Sequence, residues 1–444
     1  MSEFPLSRDL VESFKHKTGI ESVGLASIRE IVQLVNFIER HTGTTFIRME
    51  MGVPGLPTPA YGIDGEIAAL RSGVSAIYPE ITGLGILKAE ASRFIKLFLN
   101  IDLSPYGCIP TVGSMMGSMV CFLVANRNDR TKEGTLFIDP GFPVQKQQVK
   151  MLGHDYYSFD VYNFRGKKLR AKLESYFQTG KISSLLFSNP NNPAWICLND
   201  EELQIIGELA GKYDVIVVED LAYFGMDFRK DYSRPGQPPF QPSVAHYCQD
   251  YVLLLSSSKV FSYAGQRIAI MAISDHLFSR SYPDLLRYYS SSEFGHSAIF
   301  GALYGISAGA SHSVQYGLAA LLKAVNDGEY NFRDSVIEYG RKAARMKDLF
   351  ISSGFRIVYD RDLEEPVADG FYFTVAYPGL TGEQLLDELL LYGISAITLD
   401  TTGSDRHEGL RACVSKVPVD MFDDLEVRLR KFSEDHPQLV NKQV

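Results

Sequence analysis

Apolar and polar positions fall into blocks along this chain, and the period of the blocks changes twice. Within residues 1–59 only Ser27 to Arg40 shows a clear helical repeat, with Ile28, Ile31, Val35 and Ile38 on one face. The Gly- and Pro-rich stretch Met51 to Gly62 (MGVPGLPTPAYG) then predicts irregular backbone, a crossover that can also line a site. From residue 60 to 325 short continuous apolar runs (TLFIDP, SSLLFSNP, VIVVEDLAY, YVLLLSSSK) alternate with helical segments such as Asp200 to Lys212. Continuous apolar strands spaced by helices predict an α/β fold, a large domain whose mostly parallel sheet is sandwiched by helices. Residues 326–444 change character again. A charged helix at Arg333 to Phe350, strands at Phe355 to Tyr359 and Gly370 to Ala376, and helices at Gly382 to Leu391 and Val419 to Phe432 predict a smaller α+β domain, completed by residues 1–59.

Composition narrows the picture by exclusion. The 444 residues are 45% hydrophobic, ordinary for a globular protein, and 44 basic against 53 acidic residues leave a formal charge of −9. With no basic tract, nothing marks a nucleic-acid surface. Cys108, Cys121, Cys197, Cys248 and Cys413 are far apart, odd in number and without a CxxC pair, so neither a disulfide framework nor a metal site is expected and a reducing compartment fits. The polar opening MSEFPLSRDLVESFKHK has no apolar signal core, and the longest apolar stretch, Met115 to Ala125, is too short to span a bilayer. A cytoplasmic protein with no membrane partner is expected.

The chemistry sits just beyond the apolar runs. Strand ends of a parallel sheet meet at one crevice. TLFIDPGFP brings Phe142 there, SNPNNPAW brings Asn189, Asn191 and Asn192, VIVVEDLAYFG brings Asp220 and Tyr223, and LLLSSSKVFSYAGQR brings Ser256, Ser258, Lys259 and Arg267. Singly, each has a plainer reading: Asp220 as a helix cap, Phe142 as core, the Asn-Pro pairs as turns, Lys259 and Arg411 as surface residues. A lysine directly after an apolar strand, joined by three other clusters at the same position, favours a site. PTVGSMMGSMVCFLVA reads as a turn running into a buried helix whose first amides suit an anion, or equally as a small-residue packing face.

Taken together, Asn189 to Trp195, Asp220 with Tyr223, and Ser256 to Arg267 resemble the class I/II aminotransferases, fold type I pyridoxal-phosphate enzymes, with the likeness running from Gly52-Val53-Pro54 to Gly409–Ser415. The resemblance implies transfer of an amino group between an amino acid and a 2-oxo acid, with pyridoxal 5'-phosphate held on Lys259 as a Schiff base. It implies that Lys259 also serves as general base, that Asp220 pairs with the ring nitrogen, and that Tyr223 and Asn192 donate to the ring's phenolate oxygen. It further implies that Phe142 stacks on the ring, and that Gly113, Ser114, Met115, Ser256, Ser258 and Arg267 hold the phosphate. Arg411 would grip the substrate carboxylate, beside Gly52, Asn192 and Trp195. Tyr78 and Ser311 match positions that reach across a homodimer interface.

Three departures bear on the substrate. The family's Thr-Gly is Ala194-Trp195 here, the stretch Arg267 to Ser311 is long, with RSYPDLLRYYSSSEFGHSAIFG predicted as an extra lip over the site, and LDTTGSDRHEG lacks the aromatic that many relatives carry before the arginine. The same cofactor supports elimination or decarboxylation, so a lyase or decarboxylase is the alternative reading. A DNA-binding regulator lacks a basic recognition helix, and a dinucleotide enzyme lacks GxGxxG after a strand.

Overall fold

The computed structural model describes residues 4–132 and 134–437. The outermost residues of the predicted terminal segments, 1–3 and 438–444, lie outside the described residues. Two helices open the chain, α1 (Arg8–Thr18) and α2 (Ile28–Thr42), the second started by a capping box between Ser27 and Glu30. Sequence periodicity predicts α2 alone; α1 carries only Val11 and Phe14 as buried apolar anchors, too few to mark a repeat. The crossover 51–59 is irregular as expected, but its last three predicted residues already belong to α3 (Ala60–Arg71). Helix α4 (Gly85–Leu99) follows.

Seven strands form the main sheet: β1 (Cys108–Thr111), β2 (Gly134–Asp139), β3 (Tyr156–Asp160), β4 (Ile182–Ser188), β5 (Ile216–Leu221), β6 (Tyr251–Ser256) and β7 (Ala269–Ile273), in the order β1-β7-β6-β5-β4-β2-β3. Strands β3, β2, β4, β5 and β6 are parallel neighbours, so their carboxyl ends share one edge. Strand β7 runs antiparallel to both β6 and β1, because the chain returns directly through the loop 257–268, with one 3-10 turn at Ala264–Gln266, rather than through a crossover α-helix. That return sets Ser256 opposite Ala269, which keeps everything between them, Lys259 and Arg267 included, at the same edge.

Both sheet faces are dry. One is filled by Leu136, Leu185, Val217 and Leu253, the other by Phe137, Leu186, Val218 and Leu254. Helix α5 (Ser114–Ala125) packs on the second face, next to α6 (Pro143–Met151). The stretch 280–301 joins that same core through Tyr282, Leu285, Phe294, Ala298 and Ile299, and includes the π-helical start of Ser297–Leu303. It is therefore packed on α5 rather than standing as a lip, because its apolar residues complete the core around that helix.

The C-terminal part is a four-stranded antiparallel sheet, β8 (Arg356–Ile357), β9 (Tyr372–Ala376), β10 (Ile397–Thr398) and β11 (Leu410–Cys413), in the order β10-β11-β9-β8. Around it lie Phe332–Ser352, Gly382–Leu391 and Phe422–Asp435, the helices read from sequence with shifts of a few residues. The first and last parts of the chain meet where Ile47–Arg48 pairs in parallel with Ile394–Ser395. An ionic cluster ties the large domain to the small hairpin Arg361–Asp362/Glu365–Pro366 of the C-terminal part: Arg165 donates to Glu202 at 2.7 Å and to Asp362 at 2.8 Å, and Arg229 donates to Asp362 at 2.7 Å.

Candidate active site

The shared strand edge gathers the residues that the apolar runs lead into. Beyond β2, Phe142 is half-buried as the N-cap of α6. Beyond β4, Asn189 closes its own loop, accepting from the Leu198 amide at 3.0 Å, and Asn191 reaches the Pro140 carbonyl at 2.7 Å. Those two amides are structural. Asn192, buried, has no side-chain hydrogen bond among the described residues and so keeps its donors free.

Asp220 is the penultimate residue of β5, on the face covered by α5 and α6, since neighbouring strand residues point to opposite faces. Its carboxylate accepts from the Gln145 amide at 2.9 Å and from the Ala222 amide at 3.1 Å. Burial pushes its pKa up to about 6, against the smaller opposing pull of those two donors. Glu219, pointing to the opposite face, serves Ser243 and the Val244 amide instead.

Lys259 donates to the Gly52 carbonyl at 2.5 Å, and burial lowers its amine to about 8. The nearby Arg411 and Arg267 charges act in the same direction. Its turn is pinned by Ser257, which donates to the Ile268 carbonyl at 2.6 Å, and by Ser256, which accepts from the Ser258 amide at 3.2 Å. Arg267 is exposed, with φ +51°, and its guanidinium lies against Gly113 at the start of α5: a Cβ on Gly113, whose φ is +72°, would sit 2.5 Å from Nη2. Ser114 and Met115, half-buried, open that helix. Turn, arginine and helix N-terminus bring together groups of the kind that can bind an anion.

The C-terminal sheet supplies the opposite wall. Arg411 is buried on β11, donates to the Glu50 carbonyl at 2.6 Å, and leaves its Nε without a partner among the described residues. Its guanidinium lies 4.8 Å from the ring centre of Tyr372 on β9. The Tyr223 hydroxyl donates to the Tyr372 hydroxyl at 2.9 Å. Trp195 is wholly buried against both tyrosine rings, edge-on at 5.2 Å and 6.1 Å, and over Gly370. The crossover passes between the walls, held by Tyr339, which accepts from the Gly55 amide at 2.9 Å, and by Ser415, which donates to the Val53 carbonyl at 2.5 Å.

Thus Lys259, Asp220, Tyr223, Asn192, Phe142, Ser256, Ser258, Arg267, Gly113 to Met115, Gly52, Trp195 and Arg411 all come from segments that end at or line this edge. Tyr78 does not join them within one chain: it is 94% exposed, and Ser311 is exposed at the head of the helix His312–Asn326. Two residues were not read from sequence. Gln145 carried one available signal, its position one helical turn after Phe142; Tyr372 carried none beyond lying in an aromatic strand. Among the described residues no cluster of His, Cys, Asp and Glu could hold a metal ion, and no helix is long and apolar enough to cross a membrane.

Comparison with known proteins adds a pattern to this geometry. The profile of the family described as aminotransferase class I and II matches residues 52–399. A putative aminotransferase, YugH, of Bacillus subtilis is 22% identical over 87% of this chain and 91% of its own length. A probable aspartate aminotransferase of Methanocaldococcus jannaschii is 24% identical, but the match spans 57% of this chain and 61% of the relative. Among solved structures, an aspartate aminotransferase from Thermus thermophilus with maleate superposes with a TM-score of 0.72 at 14% identity, covering 92% of this chain and 96% of that one. An alanine aminotransferase from Pyrococcus furiosus gives 0.73 at 17% identity over 92% and 97%.

Proposed function

The chain belongs to the class I and II aminotransferase family, and from that membership we propose that it moves an amino group between an amino acid and a 2-oxo acid with pyridoxal 5'-phosphate held at Lys259. The observation that carries the reading is the delivery of a buried lysine with a lowered pKa, a buried carboxylate and an arginine-capped helix start to one sheet edge.

The residues present fit that cofactor. With no Cβ at Gly113 the Arg267 guanidinium can lie directly against the start of α5, which suits a phosphate contacted by that guanidinium, the first amides of α5 and the Ser256 and Ser258 hydroxyls. Asp220 would hold a protonated ring nitrogen, a positive charge that offsets the cost of its burial. Phe142 would flank the ring, and Asn192 and Tyr223 would donate to its phenolic oxygen. When bound, the cofactor supplies an aldehyde that captures the amino group and a conjugated ring that withdraws electrons from the substrate Cα.

The chain's own groups do the rest. Arg411, with Nε unspent, would take the substrate carboxylate as a charge-assisted pair next to Gly52. That pair fixes the Cα. The Lys259 amine, neutral above about pH 8, would accept the Cα proton and return it to the cofactor carbon. Trp195 would bound the pocket from behind the two tyrosines. Tyr78, extended into solvent beside exposed Ile77, would reach the phosphate of a second copy in a homodimer, with Ser311 making a second such contact. Five free cysteines fit a cytoplasmic setting.

A half-reaction screen tests the function. Amino acids added singly to the cofactor-loaded protein should bleach the aldehyde absorbance and yield the matching 2-oxo acid. Release of ammonia or carbon dioxide with the absorbance unchanged would contradict it.

A further inference from the structure

Tyr223 and Tyr372 form a pair of buried phenols with two protons and, as the structure stands, one acceptor in use. The Tyr223 hydroxyl donates to Tyr372 at 2.9 Å, and the Tyr372 proton has no acceptor among the described residues. A buried unspent donor is costly, so the pair is arranged to change when an acceptor arrives. Should an oxygen anion lie against Tyr223, the bond can reverse. Tyr372 then donates to Tyr223, Tyr223 donates to the anion, and both protons are satisfied without any proton leaving its oxygen. A donor that is itself donated to is polarised and binds an anion more strongly.

The surroundings hold Tyr372 to this position. Its hydroxyl lies so close to Gly52 that a Cβ there would be 2.0 Å away, and Arg411 covers its ring at 4.8 Å. Behind it stands Trp195, the chain's only tryptophan, with φ +62° in a region that favours glycine. Such a conformation is strained in a non-glycine residue and persists only when packing enforces it. Packing does so here: the indole lies on Gly370, where a Cβ would be 1.9 Å from Cε2, and its edge meets both phenol rings. The departure at Ala194-Trp195 thus acts on the tyrosine pair.

We propose that Tyr372 is a positioning residue that acts through Tyr223, donating to its hydroxyl so that Tyr223 can hold the phenolic oxygen of the bound cofactor, with Trp195 as the brace for the pair. This rests on the function proposed above. The charged and titratable groups facing the pair are Arg411 and Cys413 from β11, with the Lys259 amine behind Gly52.

The test is a pH titration of the visible absorbance of the cofactor-loaded protein, in wild type, Y372F, Y223F and the double variant. Donation to the phenolic oxygen favours its anion, so weakening it should raise the midpoint: by about 0.5 unit in Y372F, more in Y223F, and by nothing further when Y372F is added to Y223F. An unmoved midpoint in Y372F, a downward shift, which would make Tyr372 a competitor for the Tyr223 proton, or a shift that persists in the Y223F background would each overturn the inference. A wild-type protein that takes up no cofactor would overturn the proposed function along with it; a titrating wild type matched by Y372F overturns this inference alone. Should Y372F fail to fold, W195F carries the test with both hydroxyls in place, and an upward shift supports the brace while none overturns it.

Discussion

The Lys259 amine is held by the carbonyl of Gly52, 207 residues earlier in the chain, at 2.5 Å. The bond ties the turn after β6 to the crossover that also touches Tyr372 and β11, so the amine is positioned by both sheets at once. Burial lowers the lysine to about 8 by disfavouring the charged form. The neutral, reactive fraction therefore rises as pH passes through that value. Uptake of pyridoxal 5'-phosphate by the cofactor-free protein, followed by visible absorbance, should accelerate with a midpoint near pH 8; a midpoint at the ordinary lysine value near 10.5 would show an unburied amine.

Asp220 should trade stability for activity. Its carboxyl is raised from 3.8 to about 6, so its contribution is most favourable below pH 3.8 and is lost as pH rises through 6, where the folded state must bury a charge. At neutral pH, Asp220→Asn removes that charge. Thermal melting should show the cofactor-free variant stabilised by about 1–3 kcal/mol, while turnover falls at least about a hundredfold.

Gly113→Ala places a Cβ 2.5 Å from the Arg267 guanidinium at a residue with φ +72°. The arginine must shift. Cofactor affinity, read by fluorescence titration, should weaken about tenfold or more, with a stability loss of about 1 kcal/mol from the strained backbone.

Arg165→Met would leave Glu202 and Asp362 buried without their shared partner. Breaking one side of a buried ion cluster costs about 3–5 kcal/mol, and urea unfolding should show a loss of that order. Because the cluster anchors the hairpin that carries Asp362 to the large domain, the variant should also become more sensitive to proteolysis near Asp362.

Much of this site was legible because strand ends are written locally. The run VIVVED places a carboxylate where a parallel strand stops, and LLLSSSK places an amine at the end of its neighbour; knowing that such ends converge is enough to bring them together. What was not legible depends on contacts between distant segments. Gln145 meets Asp220 across 75 residues, and Tyr372 meets Tyr223 across 149, on a different sheet. Helix α1 and the pairing of Ile47 with Ile394 were hidden for the same reason, since their stability comes from tertiary contact rather than from a local repeat. Trp195 was visible as a departure, but only the packing on Gly370 shows that its indole lies behind the tyrosines.

The most direct measurement is the site of covalent attachment. Borohydride reduction of the cofactor-loaded protein, followed by proteolysis and mass spectrometry, should place a phosphopyridoxyl group on Lys259 and abolish the visible absorbance, with no adduct in Lys259→Ala. An adduct on another lysine, or none on a protein that retains its amino-transfer activity, would contradict the account.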